Sequence, residues 1–283
     1  MNKWMLYAFA DEASAQIDEQ IVAMQRNGLN GLEIRNADGV NVSDLTAEKA
    51  REIRGKMDDA GLEVWSVGSP IGKIDIVKDD FQAHLNKFRH TLDVADILGA
   101  KNIRMFSFYI PSGHKPEEFK GKVFDQMGAM IEAAAGRGID LCHENEKGIY
   151  GDMAVRCLEL HKEFPALKAV FDPANFIQCG QDTWEGWEML KPYVKYLHIK
   201  DALADGNVVP AGKGIGQVPR IVKDYFAMGG TALTLEPHLK VFDGLAALER
   251  GEEKSAVGAY CYNSNDEAFD AACAALSDIL QEV

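Results

Sequence analysis

Two hydrophobic periods alternate along the chain. Short apolar runs recur over 5–9, 31–34, 62–67, 101–106, 139–144, 167–172, 194–198 and 231–236. Each has the length of a β-strand and is bounded by polar, glycine or proline residues. Between them lie longer stretches whose apolar residues fall three and four apart, the spacing of one helix face. These predict helices over 14–26 (Ile17, Ile21, Val22 and Met24), from Ser43 or Thr46 to Ala60, over 79–98, 116–135 and 152–164, more weakly over 182–190, and over 217–228 and 265–280. In 79–98 the stripe is Phe81, Leu85, Phe88, Leu92, Ala95 and Leu98, which reads as core. Ser43, Thr46, Asn265 and Asp266 offer side-chain oxygens as N-caps, and Pro116 suits a first turn. The order helix, glycine, apolar strand recurs at Gly28, Gly61, Gly99 and Gly138. Glycine there accepts the left-handed conformation that closes a helix.

Strands that alternate with helices pair in parallel. Eight such units in 283 residues predict an α/β fold, a (β/α)8 TIM barrel spanning 1–283 as a single domain. A doubly wound open sheet is the other arrangement of this pattern. It lacks support here, because no G-x-G-x-x-G follows the first strand. Gly212, Gly214 and Gly216 form a glycine-rich stretch, but after strand seven. The long connection 237–264, between strand eight and the last helix, is expected to act as a lid or a subunit contact.

Composition narrows the function. A net charge of −14 and a pI near 5.0 speak against a nucleic-acid partner, whose phosphates need Lys and Arg. Five scattered cysteines without a C-x-x-C pair read as reduced thiols, as in the cytoplasm. The apolar start, 4–10, is short and runs into Asp11 and Glu12, so neither a signal peptide nor a membrane span is expected.

Chemistry concentrates at the ends of four strands. Glu144, Asp172, His198 and Glu236 each stop an apolar run, in strands five to eight. Side chains alternate along a strand, so His198 shares a face with Tyr196 and Val194, Glu236 with Thr234 and Ala232, and Asp172 with Val170 and Lys168. If those faces point into the barrel mouth, the four converge. Carboxylate oxygens with one imidazole suit Mn²⁺, Mg²⁺ or Co²⁺, and Zn²⁺ less exclusively. Glu146 competes with Glu144 in the same loop, and Asp172 and Glu236 each precede a proline, as turn openers do. Glu33, Ser66 and Arg104, near the ends of strands two to four, are candidates to line a substrate pocket, whereas Trp65 reads as core. Lys200 reads either as a contact to a substrate oxyanion or phosphate or as a plain loop charge, and His238 is placed to reach the pocket. His143 should face away from Glu144. His84, His90, His114 and His161 read as helix or loop surface residues.

These strand ends, with the His-x-x-Asp pair His198 and Asp201 and the Gly-x-Gly of Gly214 and Gly216, resemble the sugar isomerase/epimerase superfamily. Its xylose isomerase-like barrels include ketose 3-epimerases, inosose dehydratases and hydroxypyruvate isomerases. The resemblance covers nearly the whole chain. It implies one divalent cation, Mn²⁺ first and Mg²⁺, Co²⁺ or Zn²⁺ after it, held by Glu144, Asp172, His198 and Glu236. Glu144 and Glu236 would double as acid and base, working through an enediolate. Two positions depart from the ketose 3-epimerases. Asn175 stands where they often carry a substrate-binding His, and Tyr150 where they carry a Glu. Both departures bear on the substrate rather than on the metal. The expectation is a sugar or keto-polyol isomerase or epimerase. The alternative is a dehydratase or lyase for an inosose-like or 3-keto sugar. A repair endonuclease of related fold would need more His and a basic face, and a barrel that only binds sugars would not need the four ligands. The resemblance also implies a small-molecule carbohydrate partner and a homo-oligomer, dimer or tetramer.

Overall fold

A computed structural model of the protein describes residues 4–242 and 260–283. Eight strands lie in chain order around one closed barrel, all in parallel register. They are β1 Met5–Ala8, β2 Gly31–Ile34, β3 Glu63–Gly68, β4 Asn102–Met105, β5 Asp140–Glu144, β6 Lys168–Phe171, β7 Val194–Ile199 and β8 Ala232–Leu235. The last pairs with the first, Met5 opposite Ala232 and Ala8 opposite Leu235, so no strand edge is left open. The expected (β/α)8 TIM barrel is the fold observed.

The helices around it are α1 Ile17–Arg26, α2 Ala47–Asp59, α3 Phe81–Leu98, α4 Lys120–Ala134, α5 Ala154–Glu163, α6 Pro173–Gln178, α7 Thr183–Leu190, α8 Val218–Ala227 and α9 Asn265–Gln281. In α3 the Asp80 carboxylate accepts from the amides of Gln82 and Ala83, and Gly99 closes the helix at φ 76°. Its predicted apolar stripe is buried against the sheet, apart from Phe81, which is half-buried. Outward-facing Leu32, Ile34, Phe171, Leu197, Leu233 and Leu235 join these helix faces in the main core.

A second, smaller cluster fills the barrel interior: Tyr7, Cys142, Val170, Tyr196 and Ala232, with Trp65 against it. Trp65 stacks on Tyr7 at 4.9 Å and meets Tyr196 edge-on at 6.1 Å. Above this floor the mouth is lined by Glu144 and His198, two positions further along β5 and β7, by Asp172 just past the end of β6, and by Glu236 just past the end of β8. A register shift tunes the pattern in β3. Leu32 pairs with Val64 but Glu33 pairs with Ser66, so Trp65 is the extra residue of a bulge. Trp65 thus packs in the floor while the next residue, Ser66, also reaches inward, to the Tyr196 hydroxyl at 3.1 Å.

Some expectations change. His84 and His161 are buried, not surface residues. The His84 Nε2 accepts from the Gly72 amide at 2.8 Å, and the His161 ring stacks on Tyr193. The residues after Asp172 form α6 rather than a simple turn, with Asp172 itself as the N-cap and Pro173 in the first turn. Two-residue antiparallel ribbons, Asn36–Ala37 with Val40–Asn41 and Asp201–Ala202 with Val208–Val209, decorate the loops after β2 and β7. Of the 237–264 connection, 243–259 lies outside the described residues; Leu239 and Phe242, before it, are buried. Among the described residues no helix is long and apolar enough to cross a membrane.

Candidate metal centre

Strand parity brings Glu144, Asp172, His198 and Glu236 to one point in the barrel mouth. Each offers a ligand atom, all within 4.8 Å of one another, and all four residues are buried. The His198 Nδ1 is 3.1 Å from Glu144 Oε1, 3.4 Å from Glu236 Oε2 and 3.9 Å from Asp172 Oδ2. Glu146, the competitor of Glu144, points elsewhere and pairs with Lys73 at 2.8 Å.

Each of the four is held by its other polar atom. The His198 Nε2 lies 3.1 Å from Glu33 Oε2, which leaves Nδ1 for the centre. Glu33 is in turn fixed by the Tyr196 hydroxyl at 2.7 Å and by Ser66 at 3.3 Å. Such a carboxylate behind a ligating imidazole sets its tautomer and its orientation. Arg104 donates to Glu144 Oε2 at 2.9 Å, and the Asn175 side-chain amide donates to Oε1 at 3.2 Å. The Asn175 backbone amide donates to Asp172 Oδ1 at 2.9 Å. Arg35 donates to Glu236 Oε1 at 3.3 Å. Lys200 Nζ lies 2.8 Å from Asp172 Oδ2 and 2.9 Å from Glu236 Oε2. His238 Nδ1 is 3.2 Å from Glu12 and 3.6 Å from Glu236, with the His238 backbone at φ 45°. The six candidate pocket residues therefore surround the four, Arg104 and Asn175 at Glu144, Lys200 and His238 at Glu236, Glu33 and Ser66 behind His198.

The electrostatics are those of a centre short of positive charge. Burial pushes the Asp172 carboxyl up to about 7, and Glu236 and Glu144 add to that push against Lys200. Burial alone would lower His198, but Glu144 and Glu33 outweigh it and hold the imidazole well above its ordinary range. Burial also works against ionised Glu144, yet His198 and Arg104 overcome it and bring this carboxyl to about 2. For Glu236, Lys200, His238 and His198 likewise outweigh burial. Of Lys200's two partners, Glu236 keeps its charge and Asp172 tends to keep a proton. Like charges in one dry site cannot all ionise without a counter-cation. Asp172 Oδ2 is also buried with no aligned hydrogen-bond donor. Three carboxylates and one imidazole that turn ligand atoms toward one buried point fit a hard or borderline divalent ion.

A family model described as a xylose isomerase-like TIM barrel matches residues 21–249. The chain belongs to that family. No curated protein matches it in sequence. Its fold recurs in solved structures. One is the probable 3-DHS dehydratase AsbF of Bacillus anthracis, 18% identical, TM-score 0.73, with 97% of this chain and 98% of that one covered. Another is the IOLI protein with a bound zinc atom, 14% identical, TM-score 0.74, with 98% of each chain covered. A third is the 3-keto-D-glucoside 4-epimerase YcjR of E. coli, 14% identical, TM-score 0.70, with 99% of each covered. At these identities the likeness is one of fold.

In this xylose isomerase-like barrel the structure also reveals residues that sequence reasoning passed over. Arg35 is buried between the rings of Phe9 and Phe242, at 4.6 and 4.7 Å, and pairs with Asp11 and Glu12 as well as Glu236. Phe9 lies beside both guanidinium groups, Arg104 being 5.2 Å from its centroid, and its ring meets His198 edge-on. Gly68 makes room for it, since a Cβ there would lie 2.4 Å from the Phe9 ring. Glu12, Glu236 and His238 make a second close acid–imidazole group, but Arg35 already sits on both carboxylates. A signal for part of this was present: strand one, like the later strands, is an apolar run stopped by acids, Asp11 and Glu12.

Proposed function

We propose that the protein is a divalent-metal-dependent isomerase or epimerase of a sugar or keto-polyol, with Glu144 and Glu236 as its acid and base. The observation that carries this reading is the matched setting of these two residues. They come from β5 and from the end of β8. Each turns one carboxylate oxygen toward His198 Nδ1 and has the other fixed by a buried arginine. A base held in one orientation can take a proton from a carbon, and its counterpart can return one, which moves or inverts the centre. Glu144, Asp172, His198 and Glu236 would hold one divalent cation, Mn²⁺ being the first candidate. When bound, it supplies Lewis-acid stabilisation of the enediolate charge. Arg104, Lys200, Asn175 and His238 are the polar groups nearest the reacting atoms and are assigned to the substrate's oxygens. Glu33 and Ser66 act on the substrate through His198 and Tyr196.

A second reading, a dehydratase acting on an inosose-like or 3-keto sugar, is favoured by one asymmetry. The imidazole of His238, a group that can carry a proton, stands beside Glu236, whereas Glu144 has Arg104 and Asn175, which do not carry one. Loss of a β-hydroxyl from the enolate, with one proton delivered to it, releases water. The partner in either case is a small carbohydrate, with no nucleic acid or membrane. A cytoplasmic homo-oligomer, dimer or tetramer, completes the reading.

The test is solvent exchange. Mn²⁺-reconstituted protein is incubated in D₂O with ketoses, inososes and 3-keto glycosides. Deuterium at the carbon next to the carbonyl, with a new isomer, supports the first reading; a product lighter by one water supports the second. Glu144→Gln and Glu236→Gln should each cut exchange about 10²-fold or more while the barrel stays folded. Undiminished exchange in both variants rejects the assignment.

A further inference from the structure

The three buried cations around the centre are not equivalent. Arg104 meets Glu144 through Oε2, and Arg35 meets Glu236 through Oε1. Both therefore bind oxygens turned away from the four-residue focus. Lys200 differs. Its ammonium is 2.8 Å from Asp172 Oδ2 and 2.9 Å from Glu236 Oε2, the two oxygens that face His198 Nδ1. Asp172 Oδ1 is unavailable to it, being taken by the Asn175 amide. Lys200 is itself buried, and it is ion-paired with these two carboxylates.

From this we infer that Lys200 is a tethered counter-cation, competing with the divalent ion for the inward oxygens of Asp172 and Glu236. The inference rests on the metal reading of the four residues given above. Without Lys200, buried carboxylates would face one another with less positive charge between them, at a cost to the metal-free protein. With it, an incoming divalent ion must share those two oxygens with an ammonium or displace it, and like charges a few ångströms apart in a dry site repel. Lys200 thus stabilises the empty site and weakens the filled one, which makes the metal exchangeable.

The experiment uses chelator-stripped protein, titrated calorimetrically with Mn²⁺ and with Zn²⁺, and its melting temperature without metal. Lys200→Met keeps most of the length of the side chain and removes the charge; Lys200→Gln is the second variant. The expected result is Mn²⁺ bound at least tenfold more tightly by both variants, a lower metal-free melting temperature, and a larger rise on adding Mn²⁺. If a variant does not fold without metal, it is refolded with Mn²⁺ and challenged with excess chelator, and release slower than from the wild type is expected. Equal or weaker affinity in the variants, or equal or faster release, overturns the inference and leaves the metal reading standing. No binding of either ion by the wild type or the variants overturns both.

Discussion

At the scale of single residues, the site depends on which atom of each side chain is already engaged. Glu33 is the clearest case. Fully buried, it takes the Nε2 of His198 and the Tyr196 hydroxyl, so the imidazole turns Nδ1 to the centre. Glu33→Gln keeps the shape but loses the charge that fixes the tautomer. Removing such a partner weakens metal binding by about 10–100-fold. A competition titration with a chelating dye should show that loss for Glu33→Gln with the fold intact, and unchanged affinity would mean that His198 is oriented by packing alone. The convergence of Glu144, Asp172, His198 and Glu236 was legible in the sequence, because parity along a strand is a local property and each of the four ends its own apolar run. Arg35 was not, since its partners come from the end of β1 and the end of β8, 24 and 201 residues away in the chain. Nothing local distinguishes an arginine after a strand that points out from one buried between Phe9 and Phe242.

At the scale of elements, the loop after β7 shows how a short motif fixes a long connection. Asp201 accepts from the amides of Ala202, Gly212, Gly214 and Gly216, all between 2.8 and 3.0 Å. Glycines at every second position present these N–H groups to one carboxylate. A Cβ at Gly214 would lie 2.3 Å from both the Ala202 carbonyl and the Asp201 carboxylate, so side chains are excluded there. The sequence displayed the pattern as His-x-x-Asp and Gly-x-Gly, but the reason for it needed the turn that joins them. Asp201→Ala leaves these amides without their carboxylate acceptor, with hydrogen bonds to a charged group worth roughly 1.5–3 kcal/mol each before water compensates. A net destabilisation of about 3 kcal/mol is expected in urea unfolding. New proteolytic cuts should fall within 203–217, next to His198 and Lys200. A variant as stable and as resistant as the wild type would show that the loop is held from elsewhere. Element type was readable throughout because the two hydrophobic periods differ so plainly. The register shift at Trp65 was not readable, because Trp65 and Ser66 both turning inward breaks the alternation on which the reading rests.

For the whole molecule, closure of the barrel places neutral histidines where a charge is costly, and this sets how the protein answers to acid. His84 has its Nε2 occupied by the Gly72 amide as an acceptor. His161 donates from Nδ1 to the Leu167 carbonyl and keeps Nε2 buried and unpartnered. Burial lowers both to about 4, with Lys87 adding to the effect at His84. In the unfolded chain each would titrate near 6.5. Between those values the unfolded state binds a proton that the folded state refuses, so stability falls as the pH drops from about 6.5 to about 4. Above that window these imidazoles cost nothing, and below it the loss is complete, at most about 3 kcal/mol for each. Asp172, whose carboxyl is raised, works in the opposite sense over part of the same range. The clean measurement is therefore a difference. His161→Phe keeps a ring against Tyr193, at a centroid distance of 5.1 Å in the wild type, and removes the titrating group. Its urea midpoint should fall less than that of the wild type between pH 7.5 and pH 4.5, while Asp172 contributes equally to both proteins. Parallel decline in the two proteins would mean that the buried imidazole of His161 is protonated without penalty, and that the outer shell of the barrel opens to water before the barrel itself gives way.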